Sequence, residues 1–393
     1  MRAGAWLALA VLGTGCAGTS PAPVVRSAGA YAMGTALEMT LVGADAPALD
    51  RALADAFAEV ERLEALLSSW RAASDVSRLN AAAGVGAVPV DPEVAALLAR
   101  SLALSRETRG SFDVTVGPLV ALWREAEERG LPPSPEEIAA VRDRVGEGRM
   151  RVEADAADGA QAFLEAGSAV DLGGIAKGYA LDRVRAQLPA GVGAALLSFG
   201  QSSAWAIGRP PDAAGWRLLA RAPDGGFAGV LTLRDRALSV SGSLGQWREI
   251  AGHRYGHVLD PRSGQPLTRR LQALVVGDDA TAAEALSKAL LVLGPVDGVG
   301  LVEAWPGAEA LLLDEDGRSW RTAGWDAATA FEETGVPGAA AGACCSSARR
   351  GAPILSPCAS KSSPAPSARP TCPCPATRSP ATSSTAPAAA PPA

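Results

Sequence analysis

The stretch that most restricts how this chain can fold is Asp171-Leu-Gly-Gly-Ile-Ala-Lys-Gly-Tyr-Ala-Leu-Asp182. Ser168-Ala-Val-Asp171 reads as the end of an apolar strand. Ile175 to Leu188 carries helical spacing, with Ile175, Tyr179, Leu181, Val184 and Leu188 as its apolar positions. Two adjacent glycines at such a junction let backbone come close to a ligand, and a helix start offers unpaired N–H groups to an anion. Lys177, in the first turn, adds a mobile positive charge suited to phosphate. A tight strand-to-helix turn with a solvated lysine is the other reading, and the motif alone does not separate the two.

The surrounding body mixes helical and strand periodicities without regular alternation, which favours an α+β body over a Rossmann or barrel architecture. Tyr31 to Val42 alternates as a strand. Ala48 to Leu67 is an amphipathic helix with Leu49, Leu53, Phe57, Val60, Leu63 and Leu67 on one face. Asp91 is placed to cap, and Pro92 to open, a helix that runs to about Arg109 and stops at Gly110. Helices are expected again from Leu119 to Arg129 and after Ser134-Pro135. From Met150 strands dominate: Arg149 to Glu153, Ala194 to Phe199, Ala204 to Ile207, Trp216 to Ala220, Ala228 to Leu233 and Ala237 to Ser241. Ala280 to Leu293 is helical, and Ala310 to Leu313 closes the body with a strand. No internal repeat is visible.

The two ends stand apart from this body, which is expected over 29–333. Residues 1–15 carry Arg2, an apolar run from Ala5 to Leu12 and then small residues, too short a run for a membrane span and typical of an export signal. Cys16 follows as in a bacterial lipoprotein cleavage site, although Gly13 stands where leucine is usual. Lipid anchoring at Cys16 to a membrane facing the periplasm, with 16–28 as tether, is the expectation; plain secretion is the alternative. After Glu333 there is no Asp or Glu, and 334–393 is expected to be a disordered Pro/Ala/Ser/Cys-rich tail without function. Five of the six cysteines lie in it and none between Cys16 and Cys344, so the body has neither disulfides nor thiolate metal sites. A net charge of −6 argues against a nucleic-acid binder that relies on a basic patch.

Four further segments carry chemistry-bearing residues: Met33-Gly34-Thr35, Gly110-Ser-Phe-Asp113-Val-Thr115-Val-Gly-Pro-Leu119, Gly256-His257-Val-Leu-Asp260-Pro261-Arg-Ser-Gly264-Gln-Pro-Leu267, and Gly277-Asp278-Asp279-Ala-Thr281-Ala-Ala-Glu284-Ala-Leu-Ser287-Lys288. In order and spacing, these and the opening stretch resemble the ApbE-type FAD:protein FMN transferase family, thiamine-biosynthesis-lipoprotein-like, over roughly Tyr31 to Gly324. The resemblance implies a single α+β body, T-fold-related, of mixed helices and antiparallel strands. It also implies FAD as substrate, Mg²⁺ as cofactor, and transfer of FMN through a phosphoester to Ser or Thr of an exported flavoprotein, with release of AMP.

Attack of a weak hydroxyl nucleophile on a diphosphate calls for cations to neutralise developing charge and for a group to handle protons. By the resemblance, Lys177 contacts the diphosphate, Asp171 fixes part of the nucleotide or orients a neighbour, and the Gly174 carbonyl is a Mg²⁺ ligand. Met33, Trp70 (where tyrosine is usual), Ser111, Phe112, Asp113 and Leu259 fall where the family holds the cofactor. For Met33 and Phe112 core packing is the competing role. His257 is one of two histidines and suits general acid–base work; a structural histidine in a turn is the alternative. His253 is expected to be merely exposed.

The chain departs from the family pattern at its metal helix, which usually reads Ala-Asp-Ala-Leu-x-Thr. Glu284 replaces the aspartate and Lys288 the threonine, and a protonated lysine has no lone pair to give a metal; its ammonium either substitutes for the cation itself or abolishes metal binding. Asp278, Asp279 and Thr281 are candidates to compensate. Gln201 intrudes in a turn that usually has paired glycines, and Val240-Ser241-Gly242 lacks one hydroxyl. The chain thus reads as a diverged member. An FAD-binding lipoprotein without transferase activity, and an enzyme hydrolysing FAD to FMN and AMP, are the alternatives.

Overall fold

A computed structural model of the protein describes residues 22–153, 159–200, 202–243 and 247–333. The expected signal segment, Cys16, Gln201 and the cysteine-rich tail lie outside the described residues. The first elements are a hairpin, β1 (Val24–Ala32) and β2 (Thr35–Gly43), followed by α1 (Ala46–Leu67), α2 (Asp75–Ala81), β3 (Val88–Pro89) and α3 (Pro92–Glu107). Next come α4 (Gly117–Arg129), α5 (Pro135–Arg142), β4 (Met150–Glu153), β5 (Gln161–Leu164) and α6 (Ala176–Gln187). A strand-rich stretch holds β6 (Val192–Phe199), β7 (Ser203–Ile207), β8 (Trp216–Arg221), β9 (Phe227–Leu233), β10 (Arg236–Gly242), β11 (Trp247–Ile250), β12 (His253–Gly256) and β13 (Leu271–Gly277). The body ends with α7 (Ala280–Glu303), β14 (Glu309–Asp314), β15 (Ser319–Arg321), α8 (Trp325–Thr329) and β16 (Glu332–Glu333).

An eight-stranded antiparallel sheet in the order β1-β2-β6-β7-β10-β13-β14-β15 is the centre of the fold. Its inner strands are apolar on both faces because both are covered, while the edge strands β1 and β15 stay largely exposed. Leu37, Met39 and Leu41 of β2 and Leu197 and Phe199 of β6 join the apolar faces of α1, α3 and α6. The alternate residues of neighbouring strands, Leu196, Leu238, Leu274 and Leu311, pack against Trp216, Leu218, Leu231 and Leu233 of the β8–β9 pair. α7 lies along Leu271, Ala273 and Val275 of β13 through Ala283, Leu286 and Leu290. By length and composition α7 could cross a membrane, but half of its apolar window is buried here against the sheet, which accounts for its composition. The α+β class read from the sequence holds.

Several boundaries change for physical reasons. Tyr31 to Val42 is two strands, not one: Met33 and Gly34 both have positive φ (48° and 79°), the combination a two-residue hairpin turn requires. β1 already begins at Val24, pairing with Gly43, so 24–28 belong to the body and not to the expected tether. Ser168 to Asp171 is not a strand; only a parallel bridge joins Ala169 to Val116. The helix expected to end at Leu293 continues to Glu303 across a kink at Gly294 (φ 77°, ψ −165°), where Pro295 removes a backbone donor. The strand expected to close the body is followed by β15, α8 and β16.

Candidate active site

The Gly173–Gly174 turn is held from three sides. Asn80 of α2 clamps Val170, its amide donating to the Val170 carbonyl at 2.9 Å and its oxygen accepting the Val170 N–H at 2.7 Å. The Asp171 N–H donates to the Val114 carbonyl at 2.8 Å. The Asp171 carboxylate accepts the Gly173 N–H at 2.7 Å, an Asx turn that shapes the loop before α6. Lys177 folds back over this turn and donates to the Gly173 carbonyl at 3.4 Å. The side chain is half-buried, so its ammonium remains within reach of a ligand.

α6 and α7 touch backbone to backbone. A Cβ on Gly178 would lie 2.3 Å from the Ala280 carbonyl oxygen, so only glycine permits the contact. One turn later the Asp182 carboxylate accepts the N–H groups of Ala280 and Thr281 at 3.0 and 2.9 Å and the Trp205 indole N–H at 2.8 Å. These bonds satisfy donors that every helix N-terminus leaves open. They set α7 so that Lys288 reaches the turn: a Cβ on Gly174 would lie 3.9 Å from Lys288 Cε and 3.5 Å from the Phe112 ring.

Glu284, fully buried on α7, has one fixed and one open oxygen. Ser203 of β7 donates to Oε1. Oε2 has no hydrogen-bond partner, and the Lys288 ammonium stands 3.9 Å from it. Ser287 lies between Ser239 and Ser241 of β10, at 2.9 and 2.8 Å, so hydroxyls fill the rest of this helix face. Burial pulls the Lys288 ammonium down to about 8; Glu284 opposes this and the Lys177 charge adds to it.

These residues do not fit Mg²⁺. The expected ligand at Lys288 is a cation, Lys177 adds a second, and Glu284 offers a single open oxygen. Mg²⁺ demands oxygen donors in near-octahedral order. The candidates to compensate are engaged elsewhere: Asp278 pairs with Arg236, Asp279 with Arg100 while capping α7, and Thr281 donates its hydroxyl to Asp182. Among the described residues, no three His, Cys, Asp or Glu side chains gather as a metal cage.

The 110–118 segment is built largely by its own side chains. Asp113 accepts from Ser105 at 2.7 Å and from the Thr115 N–H at 2.7 Å, and Ser111 donates to the Thr108 carbonyl at 2.6 Å. All three side chains of Ser111, Phe112 and Asp113 are buried, so what this segment can offer a ligand is backbone and the Phe112 edge beside Gly174.

The His257 segment leaves β12 and packs on α4 and α5. Trp123 donates to the Gly264 carbonyl at 2.9 Å, Gly264 abuts Ile138 and Leu119, and Leu259 sits half-buried against the Trp123–Ile138 cluster. Val258 packs against the cluster between β13 and α7, and the neighbouring His257 is exposed. His253, at the start of β12, is exposed as expected.

Met33 and Trp70 form a group at the C-terminal end of α1. The Met33 N–H donates to Glu64 at 3.2 Å, and Arg71 pairs with the same carboxylate at 3.4 Å. Trp70 is 81% exposed, with the Arg124 guanidinium of α4 at 5.9 Å from its ring, so an indole face is open for stacking. Sequence reasoning gave no role to Asn80, Ser203 or Ser239, and named Asp182 and Ser241 only as members of the opening stretch and the Val240–Gly242 signature. The polar run Ser74 to Asn80 was the only signal for the first; the others look like ordinary helix and strand residues.

A family model described as the ApbE family matches residues 33–312. The chain is similar to a protein named FAD:protein FMN transferase from Klebsiella pneumoniae (strain 342), 28% identical over 339 residues, covering 81% of this chain and 93% of that one. One of the same name from Treponema pallidum (strain Nichols) is 30% identical over 289 residues, covering 70% and 80%. Among solved structures, the flavinyl transferase ApbE of Pseudomonas stutzeri superposes with a TM-score of 0.66 at 31% identity, over 78% of this chain and 97% of that one. The ApbE protein of Thermotoga maritima gives 0.68 at 27% identity, over 78% and 99%.

Proposed function

The chain belongs to the ApbE family, and from that premise we propose that its body is an FAD:protein FMN transferase acting on an exported flavoprotein. The observation that carries this reading is the convergence of Lys177, Lys288 and Phe112 on the Gly173–Gly174 turn at the start of α6. A glycine turn bordered by two ammonium groups suits a diphosphate, and the exposed Trp70 suits a flavin or adenine ring.

In the reaction, a Ser or Thr hydroxyl oxygen of the acceptor forms a bond to the FMN phosphorus, and the bond from that phosphorus to the bridging oxygen breaks. AMP leaves with the bridging oxygen and its electron pair. His257 is the group proposed to take the hydroxyl proton. Lys177 neutralises charge that develops on the transferring and leaving phosphates. Mg²⁺, implied by the family resemblance, carries no step here because the donor set does not suit it.

The proposal extends to location. The apolar run before Cys16 supports export, lipid attachment at Cys16 and a membrane-tethered body facing the periplasm. Replacing Cys16 by Ala should then move the protein from the membrane to the soluble fraction; unchanged fractionation would count against the anchor.

The test of the activity is to incubate the protein with FAD and a partner carrying a Ser/Thr flavinylation motif. In-gel flavin fluorescence and AMP release are followed together. Fluorescent acceptor plus AMP supports transfer. FAD bound without turnover points to a flavin-binding lipoprotein, and free FMN plus AMP to a pyrophosphatase.

A further inference from the structure

We infer that the Lys288 ammonium stands in for a divalent cation at the diphosphate site, so that this chain engages FAD without metal. The inference rests on the reading of the Gly173–Gly174 turn as the FAD diphosphate site.

Glu284 is the reason a cation is required. Its carboxylate is fully buried, and a buried carboxylate is costly unless paired. Ser203 holds one oxygen. The other oxygen faces Lys288, one helical turn on, at 3.9 Å. The ammonium carries three donors, so Glu284 does not use it up. The Lys288 stem passes over Gly174, and one-fifth of the side chain is exposed, so the remaining donors reach the cleft that Lys177 borders.

Charge counting points the same way. Lys177 and Lys288 bring two ammonium groups to the turn, against the carboxylates of Glu284 and Asp171, so positive charge for a diphosphate is present without an added ion. Adding a divalent ion would set it beside the Lys288 and Lys177 ammonium groups, with Glu284 Oε2 and the Gly174 carbonyl as the donors at the family positions, since Asp278 and Asp279 are paired with arginines. During transfer Lys288 forms and breaks no covalent bond. The phosphorus–oxygen exchange is the one given above, and the lysine supplies only charge and hydrogen bonds.

The experiment titrates FAD into metal-stripped full-length protein, read by flavin fluorescence, in EDTA and in MgCl₂. Mn²⁺ binding is measured in parallel by paramagnetic resonance. The wild type should bind FAD equally in both buffers and leave Mn²⁺ free. Lys288→Thr should lose about tenfold or more in FAD affinity in EDTA, regain it with Mg²⁺, and acquire a Mn²⁺ site. The wild-type comparison stands even if the variant folds poorly. Wild-type binding that is about tenfold weaker in EDTA, or a wild-type Mn²⁺ site abolished by Glu284→Gln, would overturn the inference. Failure to bind FAD in either buffer would instead overturn the transferase reading, and this inference with it.

Discussion

Asp182 holds Thr281 by two hydrogen bonds at once: one carboxylate oxygen accepts both the Thr281 N–H at 2.9 Å and its hydroxyl at 2.5 Å. Its other oxygen takes the Ala280 N–H and the Trp205 indole. A single side chain on α6 thereby fixes where α7 begins, and so where Glu284 and Lys288 stand. Asp182→Asn keeps the shape but turns one acceptor into a donor facing donors. It should cost about 1–3 kcal/mol and weaken FAD binding, measured by thermal unfolding and flavin titration; unchanged values in both would mean α7 is set by packing alone.

Gly178→Ala reverses a general preference. In an ordinary helix interior the change gains up to about 1 kcal/mol. Here the new methyl would meet the Ala280 carbonyl, so the helices must part, at a cost of about 1–3 kcal/mol. A lower melting temperature is expected, and a higher one would show that the α6–α7 contact yields freely.

Lys177→Met should remove charge stabilisation from the transferring phosphates and cut turnover by about 10²–10³-fold. His257→Asn should lower turnover by about 10²–10⁴-fold while leaving FAD affinity near its wild-type value. Single-turnover AMP release combined with FAD titration separates the two. A His257 variant that turns over normally would assign it a structural role.

Glu137 links α5 to acid stability. Its hydrogen bonds from Arg129, and then from the Ser134 N–H, hold its carboxyl down at about 2. Because the folded value lies below the ordinary one, the contribution is present above about pH 4.5 and is lost as pH falls towards about 2. Glu137→Gln should therefore lower the melting temperature at about pH 6 and make little difference near pH 2. A gap of constant size across that range would detach this effect from the carboxylate's charge.

Much of this was legible in the sequence. The amphipathic stripe from Leu49 to Leu67 buries as read, and Asp91, Pro92 and Ser134 cap and open the helices they were expected to. Periodicity failed where backbone conformation decides: Met33 in a left-handed conformation cuts one alternating run into a hairpin. It also failed at Ser168 to Asp171, where Val170 is buried in the core and its backbone bonds to the Asn80 side chain instead of to a neighbouring strand. Within the site, glycine and lysine spacing pointed to the Gly173–Lys177 turn, and the oddity of Lys288 was visible at once. The sequence also offered its two consequences, an ammonium in place of the cation or a lost metal site, without choosing between them. Only the fold reveals that the Glu284 oxygen facing Lys288 lacks any other partner and that Asp278 and Asp279 are already taken.

The central claim is transfer of FMN to a hydroxyl, and intact mass spectrometry of the acceptor tests it most directly. After incubation with this protein and FAD, the acceptor should gain the mass of one FMN less one water, with one AMP released per acceptor modified. An acceptor whose motif Ser or Thr is replaced by Ala should gain nothing. An unmodified acceptor, with FAD either intact or split to free FMN and AMP, would contradict the account.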